Sequence, residues 1–431
     1  MSDPDQPDRY RSRRKKPRTF GLRFITIIFA LIALLMVVVF ALGMACGARW
    51  ATTAMAPSTT EAVPSEGFPL KQGPWGEVYY FPVTIAAPYK TLPVGALEAT
   101  GTHWFFKNFS RDDLAAFLQS AKVPAPLRDA LLNPAVLHIL PGGIDVTPAF
   151  DSLLTLPPDS RKEIYQCLAR FPENNTQLFY FQTATLEQRF EGSGVSRETI
   201  GLFTKLSCQY GSNVVFTGMS SLLAHLQNDN EKMRFLKALA SQQTMLLRLR
   251  VRSGSDIDAL SIYWGKGRYA TDVRTMLKSI AQETDWTWFD IPEVFPPLPS
   301  SQLYSYPIVP DNPPTDAPVK HDVNWTSFNF FNEVPDNSFA NPDYVAQRLK
   351  AEYEPVSGNP LYGDLVLFSR PDGSLVHSAV YMADDIVFNK NGDSLMDPWI
   401  LSTIEDLTAQ YSFQLPEDQK LTVTYFRSNS F

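Results

Sequence analysis

The chain has 431 residues, with 38 lysines and arginines against 45 aspartates and glutamates, a net charge of −7. A balance of 44% hydrophobic and 19% charged residues excludes a wholly disordered chain, and an acidic total with no basic stripe argues against a nucleic-acid binder. Three cysteines make no disulfide framework, and without CxxC, HExxH or a His/Cys cluster there is no call for a dedicated metal site or a resident cofactor.

Residues 1–23 are polar and then basic, with eight lysines and arginines and three aspartates. Residues 24–48 (FITIIFALIALLMVVVFALGMACGA) carry no charge and are long enough to cross a bilayer as a single transmembrane helix. The basic block ahead of them predicts a cytoplasmic N-terminus, with the rest of the chain, net −12, on the extracytoplasmic (periplasmic) side of the cell membrane. A cleaved signal peptide is the competing reading, with Ala54-Met55-Ala56 as its cleavage site; the length of the apolar run favours a permanent anchor. Residues 49–72 are small, polar and proline-containing, the composition of a tether.

From 73 to 297 helical and extended patterns alternate. Glu77–Ile85, His103–Phe106, Val214–Phe216 and Met245–Val251 read as strands. Helices are expected after Ser110, Ser160 and Ser196, each a capping residue, and over Glu231–Ser241, Asp256–Tyr263 and Ala270–Gln282. Cys208 falls at a predicted helix exit, where a thiol gains nothing from the helix dipole. Together these predict an α/β domain of unrecognised fold, without a glycine-rich phosphate loop or paired-carboxylate motif. Asn174-Asn175-Thr176 matches a glycosylation sequon, a frequent chance match. Residues 298–320 form a proline-rich linker, in which Tyr304, Tyr306 and Ile308 are apolar enough to lie against a neighbouring domain.

The last domain, 321–431, holds the most informative stretch, Gly363–Asn389 (GDLVLFSRPDGSLVHSAVYMADDIVFN). Leu365–Phe368, Leu375–Met382 and Ile386–Phe388 are apolar runs separated by Pro371-Asp372-Gly373 and Asp384-Asp385. This predicts three antiparallel strands joined by tight turns. His377 and Asn389 then stand on adjacent strands and share a face. A helix near Ile400–Gln410 and a closing strand, Lys420–Phe426, follow.

Gly363-Asp364-Leu365-Val366-Leu367-Phe368, then His377-Ser378-Ala379-Val380-Tyr381, then Asn389 resemble the NlpC/P60 family of papain-like cysteine peptidases, which cut cell-wall peptides. The resemblance implies an α+β papain-like fold for the C-terminal domain, with His377 as general base and Asn389 as the residue that orients it. In the family a cysteine opens the helix before these strands. The counterpart here is Asn324-Trp325-Thr326-Ser327-Phe328, which puts Trp325 at the nucleophile's position. An indole attacks no carbonyl, and no cysteine follows His377 to supply a permuted site. Two function classes stay open. One is a membrane-tethered protein with a degenerate NlpC/P60-like domain that binds or scaffolds at the envelope, peptidoglycan peptide being its ligand class and Trp325, Asp322 and Tyr381 its binding candidates. The other is a peptidase, amidase or acyl-transfer enzyme in which Ser327 or Thr326 works with His377. The missing cysteine favours the first.

Overall fold

The computed structural model describes residues 67–92, 97–98, 101–266, 270–283, 285–308, 321–416 and 419–430. The basic block, the apolar run 24–48 and the tether up to residue 66 lie outside them. No helix among the described residues is long and apolar enough to cross a membrane.

In chain order the strands are β1 (Phe68–Pro69), β2 (Val78–Ile85), β3 (Trp104–Lys107), β4 (Leu137–Leu140), β5 (Gly143–Val146), β6 (Phe179–Gln182), β7 (Ser207–Tyr210) and β8 (Asn213–Phe216). They continue as β9 (Gln242–Arg252), β10 (Trp286–Asp290), β11 (Tyr353–Pro355), β12 (Leu365–Ser369), β13 (Leu375–Ala383), β14 (Ile386–Lys390), β15 (Trp399–Thr403) and β16 (Thr422–Ser428). They form sheets of order β1-β2-β9-β10, β3-β5-β4, β6-β8-β7 and β11-β16-β12-β13-β14-β15, and every pairing among the described residues is antiparallel. The β12–β13 hairpin closes where the sequence puts its turn, with Gly373 at φ +83°, a conformation side chains resist.

The helices that matter below are α1 (Arg111–Ser120), α2 (Pro158–Ala169), α3 (Arg197–Leu206), α4 (Asp229–Ala240), α5 (Ile257–Trp264), α6 (Ala270–Glu283), α7 (Val323–Phe328), α8 (Pro342–Glu352) and α9 (Ile404–Ser412), with further helices of five to seven residues and 3-10 turns between. Ser110 opens α1 in a reciprocal capping box with Asp113, and Ser196 caps α3. Ser160 does not cap α2. Pro158 starts that helix, because its fixed φ suits the first turn and its missing N–H is no loss there, and Ser160 is buried one turn in. Cys208 lies just past the exit of α3, as expected, on β7 in a hairpin with β8. Residues 400–403 belong to β15, and Thr403 caps α9.

Three apolar clusters fill the interior. One holds the two three-stranded sheets with α1 to α4. A second takes Val78, Leu247, Leu249 and Phe289 from the first sheet, Leu260 and Trp264 from α5, and Leu365, Val380, Met382 and Phe388 from the six-stranded sheet. The third covers the other face of that six-stranded sheet, with Val366, Phe368, Ala379, Tyr381 and Val387 against Ile404 and Leu407 of α9. Polar bonds accompany the second cluster: Tyr263 Oη donates to Met382 O at 2.7 Å, and Thr244 Oγ1 donates to Leu401 O at 2.9 Å while accepting from Leu401 N at 3.0 Å. Tyr304 Oη donates to Met245 O and Tyr306 Oη to Ala240 O, so both tyrosines pack as expected, whereas Ile308 is 91% exposed.

Asp364 knots these elements. Its side chain has no exposed surface, yet Arg427 Nε and Nη2 donate to it at 3.0 and 2.6 Å, Lys266 Nζ at 3.0 Å and Leu361 N at 2.8 Å. Burial opposes the charge; the guanidinium, the peptide N–H and the ammonium outweigh it and hold the carboxyl below its ordinary range. Gly363, at φ +85°, has the ring of Phe331 where a Cβ would stand, 2.5 Å away, so the approach to Asp364 admits only glycine. Asp364→Asn is predicted to lower unfolding free energy by about 3 kcal/mol, since it removes the buried charge to which Arg427 and Lys266 donate. Chemical denaturation of wild type and variant side by side checks this, and equal midpoints would show that the carboxylate's charge contributes nothing.

Candidate functional site

A strand alternates its side chains, so neighbours in sequence face opposite layers. On β13 and β14 this separates His377 from Ser378 and Asn389 from Lys390. Phe368 pairs with His377 across β12–β13, and Val387 and Asn389 follow one another on the same face of β14. That face meets α9. Tyr411, on the last turn of α9, places Oη 2.9 Å from His377 Nδ1 and stacks on the imidazole at 4.7 Å. Phe368 closes another side at 5.6 Å.

His377 and Asn389 are thus brought together, both with no exposed surface. The pair is not arranged as base and orienter open to a substrate. Asn389 Nδ2 donates to Ser402 Oγ at 3.0 Å. Asn389 lies near enough to the ring to favour its protonation, but His377 Nε2 and Asn389 Oδ1 are both buried without a hydrogen bond meeting standard geometry. Burial dominates the electrostatics, pushing the imidazole down to about 3, with Asp393 and Asn389 offsetting only part of it. The ring is neutral at physiological pH. Tyr411 is held neutral too, raised well above its ordinary value by burial and by Asp397 and Asp393.

The candidates on and before α7 lie on the opposite face. Asp322 caps α7, its Oδ1 accepting from Trp325 N at 2.8 Å. Trp325 is buried; its Nε1 donates to Asn337 Oδ1 at 3.1 Å and His321 stacks on the indole at 3.8 Å. Ser327 Oγ donates back to Val323 O at 3.0 Å, and Thr326 Oγ1 accepts from Trp399 Nε1 at 2.9 Å, so both hydroxyls serve the packing of α7. The residue that β13 offers to this helix is Ser378, donating to Val323 O and Asn324 Oδ1 at 3.1 and 2.9 Å. The structure therefore does not bring Trp325, Ser327 or Asp322 to His377; the sheet stands between them. Tyr381 shares the His377 face but is buried, with Oη donating to Asp384 O at 2.8 Å. Cys208 is buried in the first apolar cluster, its thiol pushed up to about 12. Asn174 is no sugar acceptor in the folded chain: buried, it accepts from Phe105 N and donates to Phe105 O and Leu168 O.

Two clusters escaped the sequence reading. Lys390 is buried at the end of β14, its Nζ donating to Gly392 O and Ser394 O at 2.6 and 3.0 Å. Nearby Asp397 accepts from Ser394 N at 2.7 Å and is raised to about 6 by burial. Elsewhere His103 Nδ1 lies 2.9 Å from Asp145 Oδ2 on the β3–β5 pair. The Pro141-Gly142-Gly143 turn between two short apolar runs was the available signal for that hairpin. No group of three or more metal-ligating side chains occurs among the described residues. Comparison with family models, with curated proteins and with solved structures finds no match to this chain.

The buried imidazole has a thermodynamic signature. An unfolded histidine takes up its proton below about pH 6.5, whereas the folded ring resists until about pH 3. The unfolded state binds more protons in that window, so this residue's contribution to stability falls as pH falls, by about 1.4 kcal/mol per unit and about 2 kcal/mol at pH 5. Asp397 acts oppositely over part of the range, so the comparison needed is wild type against His377→Gln at each pH. The variant is predicted to close on wild type as pH drops from 7 to 5, and a constant gap between them would show that His377 is not buried in neutral form.

Proposed function

We propose that this chain is a single-pass, membrane-anchored protein that binds or scaffolds at the cell envelope, and that its C-terminal sheet carries an NlpC/P60-like strand pattern without hydrolytic chemistry. The observation that carries this reading is the burial of His377, sealed by Tyr411 and separated by the sheet from the helix in which the family places its nucleophile. A general base needs hydrogen-bond reach to both nucleophile and substrate. Here the base position is an interior residue, and the nucleophile position is an indole that fills space. The uncharged run 24–48 supports the anchor, and the strand resemblance supports peptidoglycan peptide as the ligand class.

The test is to incubate the full-length protein, reconstituted in vesicles, with cell-wall muropeptides and to follow retention and cleavage by mass spectrometry beside a His377→Ala variant. Retention without cleavage, at equal levels in both proteins while both stay folded, is the expected result. Cleavage abolished by the variant would overturn the proposal, because His377 would then be working with a nucleophile. No retention of any muropeptide would remove this ligand class.

A further inference from the structure

The outer face of the first sheet interleaves arginine with aromatic side chains. On β9 the alternation of Leu247, Leu249 and Val251 inward sends Arg248, Arg250 and Arg252 outward. Register sets Tyr79 and Asp290 on either side of Arg248, Trp288 beside Arg250 and Trp286 beside Arg252; Phe81 pairs with Leu246 one step along. The rings interlock edge to face. Trp288 meets Tyr79 at 5.1 Å, Phe81 at 5.6 Å and Trp286 at 5.4 Å. Arginines lie over them, Arg250 at 4.4 Å from Trp286 and Arg248 at 5.3 Å from Phe81. Arg248 pairs with Asp290 at 2.7 Å and Arg252 pairs with Glu77. Arg250, partly exposed, has no acidic partner among the described residues, and its Nε is buried without a hydrogen bond. The face is therefore net positive on a chain whose residues 24–431 total −12. None of Tyr79, Phe81, Trp286 or Trp288 joins an apolar cluster of the interior.

We propose that this arginine–tryptophan face docks onto the surface of a bilayer carrying anionic phospholipid. Tryptophan and tyrosine present an apolar body with a polar tip, and arginine an apolar stem with a charged head, which is the composition that settles at the headgroup level. Charge selects the anionic headgroup, with Arg250 as the guanidinium left to pair with phosphate. Chain connection selects the membrane as the source of that phosphate. The described chain begins at the edge of this very sheet, in β1, and only residues 49–66 separate it from the apolar run. The proposal thus rests on the anchor reading above, and adds to it an orientation: first sheet toward the lipid, six-stranded sheet behind it.

The full chain is reconstituted in vesicles of phosphatidylcholine with or without phosphatidylglycerol, and tryptophan fluorescence is quenched by phosphatidylcholine spin-labelled at the headgroup. Trp286→Phe/Trp288→Phe identifies the signal of this face, and Arg250→Glu and Arg250→Lys test the charge, with thermal midpoints confirming that each variant is folded. In anionic vesicles the share of quenching owed to Trp286 and Trp288 is expected to be large. It should fall about fivefold or more in Arg250→Glu, hold in Arg250→Lys, and shrink without phosphatidylglycerol. Equal quenching in wild type and Trp286→Phe/Trp288→Phe, or indifference to Arg250→Glu, overturns the docking and leaves the anchor standing. A chain that does not float with vesicles at all overturns the anchor and the docking together. An emission change on adding soluble glycan strands, without any response to lipid, replaces the membrane by a polysaccharide as occupant and overturns the proposal.

Discussion

Asp364 is a carboxylate with no exposed surface, and such a charge survives burial only when donors replace the water it gives up. Arg427 from β16, Lys266 from the end of α5 and the peptide N–H of Leu361 do so. The backbone beside it is locked as well, with Gly363 N donating to Tyr381 O at 2.9 Å and Tyr381 N donating to Asp364 O at 2.8 Å. That lock sets where β12 begins against β13. Since side chains alternate with a period of two, it also sets which residues of β13 look toward α7 and which toward α9.

The character of the candidate site follows from this phase. With β13 and β14 in the observed register, His377 and Asn389 enter the layer beneath α9, where aromatic rings and burial keep the imidazole neutral. Ser378 and Lys390 enter the other layer, beside α7, and are taken up by packing there. A slip of one residue would exchange the two sets and put the histidine against the helix that carries Trp325. The ion cluster at Asp364 resists such a slip, because moving β12 would break the donations from Arg427 and Lys266 to a buried charge. Which layer His377 enters is thus a consequence of sheet register, not of a local defect around the ring.

Much of the C-terminal sheet was legible in the sequence because its signals are local. Leu365 to Asn389 alternates, turns at Pro371-Asp372-Gly373 and turns again at Asp384-Asp385, and the strands and their shared His377/Asn389 face need nothing more. Which helix covers that face depends on α7 and α9, elements on either side of these strands whose packing no short-range pattern encodes. The same limit hid the arginine–tryptophan face. MLLRLRV and WTWFD each show their alternation, but only the pairing of β9 with β10 puts arginine beside tryptophan. Ser160 misled because a proline two residues earlier starts helices as well as a serine cap does. Residues 400–403 misled because a short buried strand and the first turn of a helix share an apolar pattern.

His377 is an interior residue, closed in by Phe368 and Tyr411. Diethyl pyrocarbonate acylates imidazole that reagent can reach, and the chain has only five histidines to follow. Mass spectrometry of the folded, full-length protein after brief treatment near neutral pH gives the rate at each. His103 and His138, on the surface of the β3-β5-β4 sheet, are predicted to react readily, and His377 to stay unmodified until the chain is unfolded. Modification of His377 at a rate like theirs would mean an accessible, nucleophilic imidazole and would contradict its burial beneath α9.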